Sequence, residues 1–417
     1  MIGTGVFTSL GFQLLGIRSG FVILLLWALG GVIALCGAMT YAELGAAFPR
    51  SGGEYNLLSR IYHPVAGFVS GWVSATIGFA APTALASMTF SAYATSASPR
   101  EDTALIERAL AVGLVVLLTA AHSISRRQSS GLQGLFTALK LAAIVAFCVA
   151  ALLFAESRQQ VPILPAPGDG GVLLGSAFAV SLIYVSYAYT GWNAATYLSS
   201  ELDHPQRDLP GILFAGTAVV AVLYVALNYV FLEVAPMDAL AGQVEVGQVA
   251  AVAAFGELAG RYVGFALALL LVSTVSAMTL AGPRVLQVIG EDFRGLAVLA
   301  TVNRDGLPYV AIMLQSILAI AFIVTSTFES ILVFAGFTLA LNSFVTVLGV
   351  FVLRHRQPDL PRPYRTFGYP VTPLVYLVVM GWTLGYVLWS RPVEAMVSLG
   401  LIASGVGVYF LARGRGR

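Results

Sequence analysis

Eleven stretches of mostly apolar residues follow one another along this chain, near residues 20–47, 65–96, 104–122, 132–155, 173–200, 210–233, 259–282, 308–327, 330–353, 370–390 and 394–412. A helix needs roughly 20 apolar residues to cross a hydrocarbon core about 30 Å thick. Each run therefore reads as a transmembrane helix. A twelfth run, residues 1–16, is shorter and reaches only ~24 Å at a rise of about 1.5 Å per residue. The pattern excludes a soluble fold, and composition agrees. Hydrophobic residues make up 58% of the 417 and charged residues 10%, against roughly 25% charge in soluble domains. The fold class is an all-α polytopic membrane protein of about twelve helices, with lipid as the solvent of its apolar faces.

Composition narrows the function classes further. A net charge of +2 offers no field for nucleic acid. The four histidines are scattered, with no HExxH and no Cys/His cluster, so neither a metal nor a cofactor is expected. Cys36 and Cys148 lie inside apolar runs and read as buried thiols, since free Cys packs as a small hydrophobe. The apolar start lacks a charged n-region and a cleavage site, so no cleavable signal peptide is expected.

Arginine placement suggests an orientation. Lys140 is the one lysine among 22 basic residues. If segment 1 runs outward, fifteen arginines fall on inner loops and the C-terminus, among them Arg50, Arg60, Arg126, Arg127, Arg284 and Arg354. Six fall outside: Arg18, Arg100, Arg108, Arg158, Arg261 and Arg391. This is the positive-inside bias, and it predicts a plasma (inner) membrane protein with a cytoplasmic C-terminus. The acidic loop carrying Glu233, Asp238, Glu245 and Glu257 is expected to form a helical cap outside. The basic, proline-rich stretch from Arg354 reads as a linker to the last two helices.

Two segments carry glycine breaks. Segment 1 contains Gly3, Thr4 and Gly5, and segment 6 contains SYAYTGWN from Ser186 to Asn193. Glycine costs about 1 kcal/mol relative to alanine inside a helix. Either motif alone is equally well explained by close packing of small residues. Together they fall on segments five apart, in opposite directions. Interrupted helices at matching places of two inverted halves point to a transport site. Free N–H groups at one half-helix end suit a carboxylate, and free C=O groups at another suit an ammonium. A zwitterion fits the pair.

These residues also resemble a known family. MIGTGVF, TYAELGAAFPRSGGEY (Thr40–Tyr55), SYAYTGWNAATYLSSELDHPQRDLP (Ser186–Pro210), AGPRVLQVI (Ala281–Ile289), RPYRTFGYPVTP (Arg362–Pro373) and FTALKLAAI occur in the order found in the amino acid–polyamine–organocation superfamily. The likeness is strongest to its L-type amino acid transporter branch and bacterial relatives. The resemblance implies a five-plus-five inverted-repeat core with two added helices. Residues 1–155 would form the first repeat, 173–353 the second, and 354–417 the linker with helices 11 and 12. It implies that the amides of Gly3, Thr4 and Gly5 hold the substrate carboxylate and that carbonyls near Tyr187, Ala188, Tyr189, Thr190 and Gly191 hold its amine. Tyr187 takes the place of a gating aromatic. Asn193 and Glu201 match family positions, and Glu201 equally suits a loop contact with Arg207. Family members have about two more helical turns before the GTG. The chain here starts two residues before it, so the first helix reads as N-terminally truncated; either the start codon was placed too late, or the chain is a fragment, or it is degraded, and a start codon further upstream is the favoured expectation.

Lys140 sits in the middle of its apolar run. A lysine at mid-bilayer costs roughly 2.5–3.5 kcal/mol. It lies about ten residues from the inner helix end, where snorkelling to the interface is marginal. It reads as a buried charge satisfied by oxygens, either carbonyls at the helix 1 break or the hydroxyls of Ser273, Thr274 or Ser276. The resemblance implies that its ammonium substitutes for a sodium ion that bridges helices 1 and 8 in related transporters, and hence sodium-independent transport. The combined expectation is a permease for neutral L-amino acids working by alternating access. No Asp or Glu lies inside segments 1, 3, 6, 8 or 10, which disfavours polyamines or other organic cations. An intramembrane enzyme is disfavoured too, because His122 lacks an evident acidic partner and Glu43 stands at a helix end. A non-transporting sensor or degenerate paralogue stays open. Heteromeric family members pair through an extracellular cysteine. Neither cysteine here is in an outer loop, so no disulfide-linked partner subunit is expected.

Overall fold

The computed structural model describes residues 1–96, 103–124, 130–155, 158–197, 199 and 202–414. The readings above that involve Arg100, Arg126, Arg127, Glu201, Arg415 and Arg417 fall outside the described residues. Every apolar run is helical. In order they give α1 (Gly5–Gln13), α2 (Gly20–Ala47), α3 (Gly53–Ile61), α4 (Pro64–Val73), a π-helical turn (Ser74–Gly78), α5 (Ala80–Thr95), α6 (Ala104–Ile124) and α7 (Ser130–Phe154). The second half holds α8 (Asp169–Leu173), α9 (Ser176–Tyr189), α10 (Pro205–Val234), α11 (Met237–Leu240), α12 (Val246–Asp292), α13 (Tyr309–Thr325), α14 (Phe328–Arg356), α15 (Val371–Ser390) and α16 (Pro392–Gly414). Among the described residues, nine helices are long and apolar enough to cross a membrane, and α9 and α13 are apolar but shorter. Segment 6 yields a short helix because it leaves the helical path at Thr190.

The chain is an integral, multi-pass membrane protein. Its helices divide by what covers them. α2, α9 and α14 are largely buried, whereas α6 and α7 expose apolar side chains such as Val116, Leu117, Val149 and Leu153 to lipid. Lipid satisfies these faces as well as protein would, so a strong amphipathic stripe is not required.

The acidic loop after α10 is helical as expected. It forms α11 and the start of α12, which bends at Gly256, where φ is +82°. The arginine-bearing loops gather at one end of the bundle. There Arg356 Nη1 donates to the Ile61 carbonyl at 3.3 Å, and Gly295 packs on the backbone of Ala412. Glu43 anchors the linker at the same end. Its fully buried carboxylate accepts from Arg354 Nε (2.9 Å) and Nη2 (2.7 Å), and from the Thr366 amide and hydroxyl at 2.7 Å each. The Arg354 guanidinium also lies 3.6 Å from the centroid of the Tyr369 ring. The other end carries Arg18 paired with Asp238 at 2.8 Å and Arg391 paired with Glu329.

Candidate substrate site between α1 and α9

In segment 1 the helix begins at Gly5, within the glycine motif. Residues 1–4 are not helical, and no side chain caps the N-terminus at Thr4. The Phe7 amide folds back onto the Thr4 carbonyl at 2.9 Å. The break in segment 6 follows α9. Thr190 turns out of the helix with ψ near 149°, and Gly191 takes φ +91°, a region that favours glycine. A short 3₁₀ helix, Ala194–Tyr197, then resumes the segment. The N-terminal end of α1 and the C-terminal end of α9 therefore meet across one cavity. A helix start offers unpaired N–H groups and positive potential, and a helix end offers unpaired C=O groups and negative potential. The two ends suit the two charges of an α-amino acid.

The helices touch where the sequence placed the glycines. A Cβ on Gly5 would lie 2.5 Å from Ala188 Cα, so only glycine permits this approach. A Cβ on Gly3 would meet only ordinary contacts, Thr274 Cγ2 at 3.8 Å and the Met1 carbonyl at 3.9 Å. Gly3, Thr4, Gly5 and the run from Tyr187 to Gly191 all line the cavity, whose volume is about 1150 Å³.

Two of the predicted site residues have other occupations. The Tyr187 carbonyl already accepts both the amide (2.9 Å) and the hydroxyl (2.6 Å) of Thr190. Both lone pairs are used, so the carbonyls that follow it at the helix end are left for an amine. The Tyr189 hydroxyl donates to the Trp27 carbonyl at 3.1 Å, and its ring packs against Trp27 and Tyr224. Tyr189 thus holds α9 onto α2 and α10.

Lys140 finds one of the partners proposed for it. Its Nζ donates to Thr274 Oγ1 at 2.7 Å, linking α7 to α12 beside Gly3. Ser273 instead donates to the Leu270 carbonyl of its own helix (2.7 Å), and Ser276 meets the buried His122 Nε2 at 3.0 Å. His122 has a hydroxyl partner that its sequence neighbourhood did not reveal.

Opposite the arginine-rich end the cavity is closed. Phe12 stacks on Phe328 with centroids 5.5 Å apart. The Gly242 amide donates to the Gly11 carbonyl at 2.8 Å. The Tyr93 hydroxyl donates to the Phe7 carbonyl (3.2 Å) and accepts from the Gly247 amide (2.9 Å). These contacts tie α1, α5, α12 and α14 together beyond the break.

Toward the arginine-rich end the cavity reaches a group that sequence reasoning missed. Glu54, in α3, is 1% exposed and lines the cavity. It accepts hydrogen bonds from Tyr41 (3.0 Å), Asn193 and Tyr197. It stood inside the quoted SGGEY motif, but the loop position hid its burial. Nearby, the Tyr55 hydroxyl donates to Asp292, and burial together with that carboxylate pushes the phenol above its usual range, so it stays a neutral donor.

The comparison with known proteins bears on this geometry. Residues 1–411 match the family described as amino acid permease. The chain belongs to that family. The permease is 30% identical to the human large neutral amino acids transporter small subunit 2 over 429 residues, covering 99% of this chain and 77% of that protein. It is 27% identical to the mouse b(0,+)-type amino acid transporter 1 over 420 residues, covering 99% and 84%. The family is one of transporters rather than enzymes, and the L-type branch inferred from the motifs is the one to which these relatives belong.

Proposed function

We propose that this permease carries neutral L-amino acids without sodium, by alternating access around a site between α1 and α9. The observation that carries the reading is the meeting of an uncapped helix start with a helix end across the cavity, at a contact only Gly5 allows. The carboxylate binds the amides of Gly3, Thr4 and Gly5. The ammonium binds the carbonyls at the end of α9, those of Ala188 and Tyr189 rather than Tyr187. The Tyr187 ring covers the bound substrate. Apolar lining from Ile33, Ala34, Leu339 and Met380 suits an uncharged side chain.

Glu54 qualifies the argument against polycations, because it lies outside the helix interiors and still lines the cavity. Its oxygens are engaged by three neutral donors, and none of the described residues at the break itself carries a carboxylate. Lys140 supports sodium independence by placing a fixed ammonium between α7 and α12 at the edge of the break. Asn193, through Glu54, joins the exit of the broken helix to α3.

The arginine-rich end faces the cytoplasm of the plasma (inner) membrane, with the C-terminus on that side. The protein works without a disulfide-linked partner, since Cys36 is buried in α2 and Cys148 lies within α7. The test is counterflow of labelled neutral L-amino acids into preloaded proteoliposomes in sodium-free buffer. Uptake that requires internal neutral amino acid is expected. Counterflow driven only by internal polyamine, or binding with no flux, would replace this reading by a cation carrier or a sensor.

A further inference from the structure

The closed end of the cavity has a polar component besides its stacked rings. Phe328 and Glu329 are the first two residues of α14, whose start is capped by Thr327, its hydroxyl accepting from the Ser330 amide at 3.2 Å. Phe328 is buried and stacks on Phe12 of α1 with the ring planes 7° apart. Glu329 stands beside it. Its Oε1 accepts from the Tyr184 hydroxyl of α9 at 2.8 Å and also from the Arg391 guanidinium. The Tyr184 ring meets Phe12 edge-on, with centroids 6.3 Å apart. Phe12, Tyr184, Phe328 and Glu329 thus form one contact among α1, α9 and α14, and Arg391 reaches it from outside those helices.

Arg391 is the corner between α15 and α16, the last two helices of the chain. Its amide donates to the Val387 carbonyl at 2.8 Å, and its carbonyl accepts from the Ala395 amide at 3.2 Å, so both helices hold its backbone. Other side chains near this corner grip the same two core helices. The Tyr386 hydroxyl donates to the Leu174 carbonyl at 3.0 Å, just ahead of α9. The buried Ser398 hydroxyl donates to the Phe334 carbonyl of α14 at 3.3 Å. Neither α15 nor α16 carries a break, yet together they bracket the closed end.

Charge balance alone does not explain the arginine. An acidic side chain in the first turn of a helix is already favoured by the unpaired N–H groups there. The ion pair is also partly open to solvent, with the side chains of Arg391 and Glu329 37% and 28% exposed. Pairs of that kind shift an equilibrium by no more than about fivefold. What Arg391 adds is position, because it fixes the oxygen that Tyr184 uses. The Tyr184 bond, made to a charged acceptor, is the stronger of the two and shifts an equilibrium by about tenfold or more. Opening this end has to part Phe12 from Phe328, and so has to strain the Tyr184 bond.

We infer that Arg391 is a positioning residue for the closed end: through Glu329 it keeps Tyr184 and Phe328 in place, so that the last two helices set how often the site opens away from the arginine-rich end. The inference rests on the transport reading above. Thiol labelling of the closed end needs no substrate and tests the clasp, whereas counterflow tests that reading, so the two fail separately.

The experiment places a cysteine at the buried Ser9 of α1, with Cys36 and Cys148 replaced by serine, and labels intact cells with an impermeant thiol reagent. In this background Arg391→Gln should label about two- to fivefold faster, and Tyr184→Phe about tenfold faster. Arg391→Lys should stay near the parent rate, since it keeps a charge for a one-pronged contact. External salt at constant osmolarity should speed labelling of the parent but not of Arg391→Gln, because salt screens a partly exposed pair. For a neutral L-amino acid that the protein exchanges, the external concentration giving half-maximal uptake should fall in Arg391→Gln by the factor that labelling rises, since more of the protein is open to that side. A variant that is merely loosened would lose maximal rate and keep its half-saturation. Equal labelling of the parent and Arg391→Gln, a salt effect that persists in Arg391→Gln, or faster labelling with an unchanged half-saturation would each overturn the inference.

Discussion

Gly5 and Ala188 meet so closely that a single methyl group on Gly5 would stand 2.6 Å from the Ala188 Cβ. Gly5 opens α1 and Ala188 lies in the last turn of α9, and their contact sets the width of the gap between an N–H-rich end and a C=O-rich end. The contact is one of shape, made with the backbone and Cβ of Ala188, and it fixes how near α1 comes to α9.

Gly5→Ala should therefore push α1 from α9. Overpacking costs about 1–3 kcal/mol, so counterflow should fall by roughly fivefold or more. Gly3→Ala meets only ordinary contact at 3.8 Å from Thr274 and should lose less. Parallel flux measurements on the two variants decide the point. Equal losses would mean that the Gly5 contact does not set the site.

Thr274→Val removes the one hydrogen-bond acceptor that Lys140 has among the described residues. A hydrogen bond to a charged group contributes about 1.5–3 kcal/mol. The variant should unfold at lower temperature in detergent than the wild type. Lys140→Ala should abolish transport while the protein still elutes as a folded species in gel filtration. Wild-type uptake by Lys140→Ala would refute a coupling or bracing role for the ammonium.

Glu43→Gln leaves two arginines at the end of α2 without their carboxylate. Breaking a buried pair from one side costs about 3–5 kcal/mol. The linker should loosen, read as faster proteolysis between α14 and α15. Arg354→Lys should be only partly tolerated, because lysine cannot reproduce the two-pronged contact. Unchanged cleavage in Glu43→Gln would show that the linker is held by packing alone.

Tyr93→Phe deletes a hydroxyl that bridges α1 to the start of α12. Losing such hydrogen bonds is worth about 0.5–1.5 kcal/mol each, so the closed end should open more often, by roughly a few-fold to tenfold per bond lost. A cysteine in place of the buried Ser9 of α1, with Cys36 and Cys148 replaced by serine, should react faster with an impermeant thiol reagent. The same labelling rate in both backgrounds would mean that the Phe12–Phe328 stack and the Gly242–Gly11 hydrogen bond close that end without the tyrosine.

The membrane class, the helix order and the break in segment 6 were legible in the sequence. Run length against bilayer thickness is a one-dimensional property, and glycine inside an apolar run advertises its own cost. The partner of Lys140 was legible only as a short set of candidates. Choosing Thr274 over Ser273 and Ser276 depends on the rotation of α12, and one residue along a helix is a turn of about 100°. The Tyr187 carbonyl looked free because the sequence cannot show that Thr190 folds back onto it.

Glu54 was the least legible. Its neighbours in the chain, Gly53 and Tyr55, mark an ordinary loop helix. Its partners come from α2 and from the far side of the break, 13 to 143 residues away. The sequence by itself determined that this chain lives in lipid, crosses it repeatedly and interrupts segment 6, because each of those follows from local composition and spacing. Only the tertiary structure decided which oxygen meets Lys140, which carbonyls stay open and which carboxylate is buried without a counter-ion. Those depend on helix rotation and on contacts between distant segments, which no local pattern encodes.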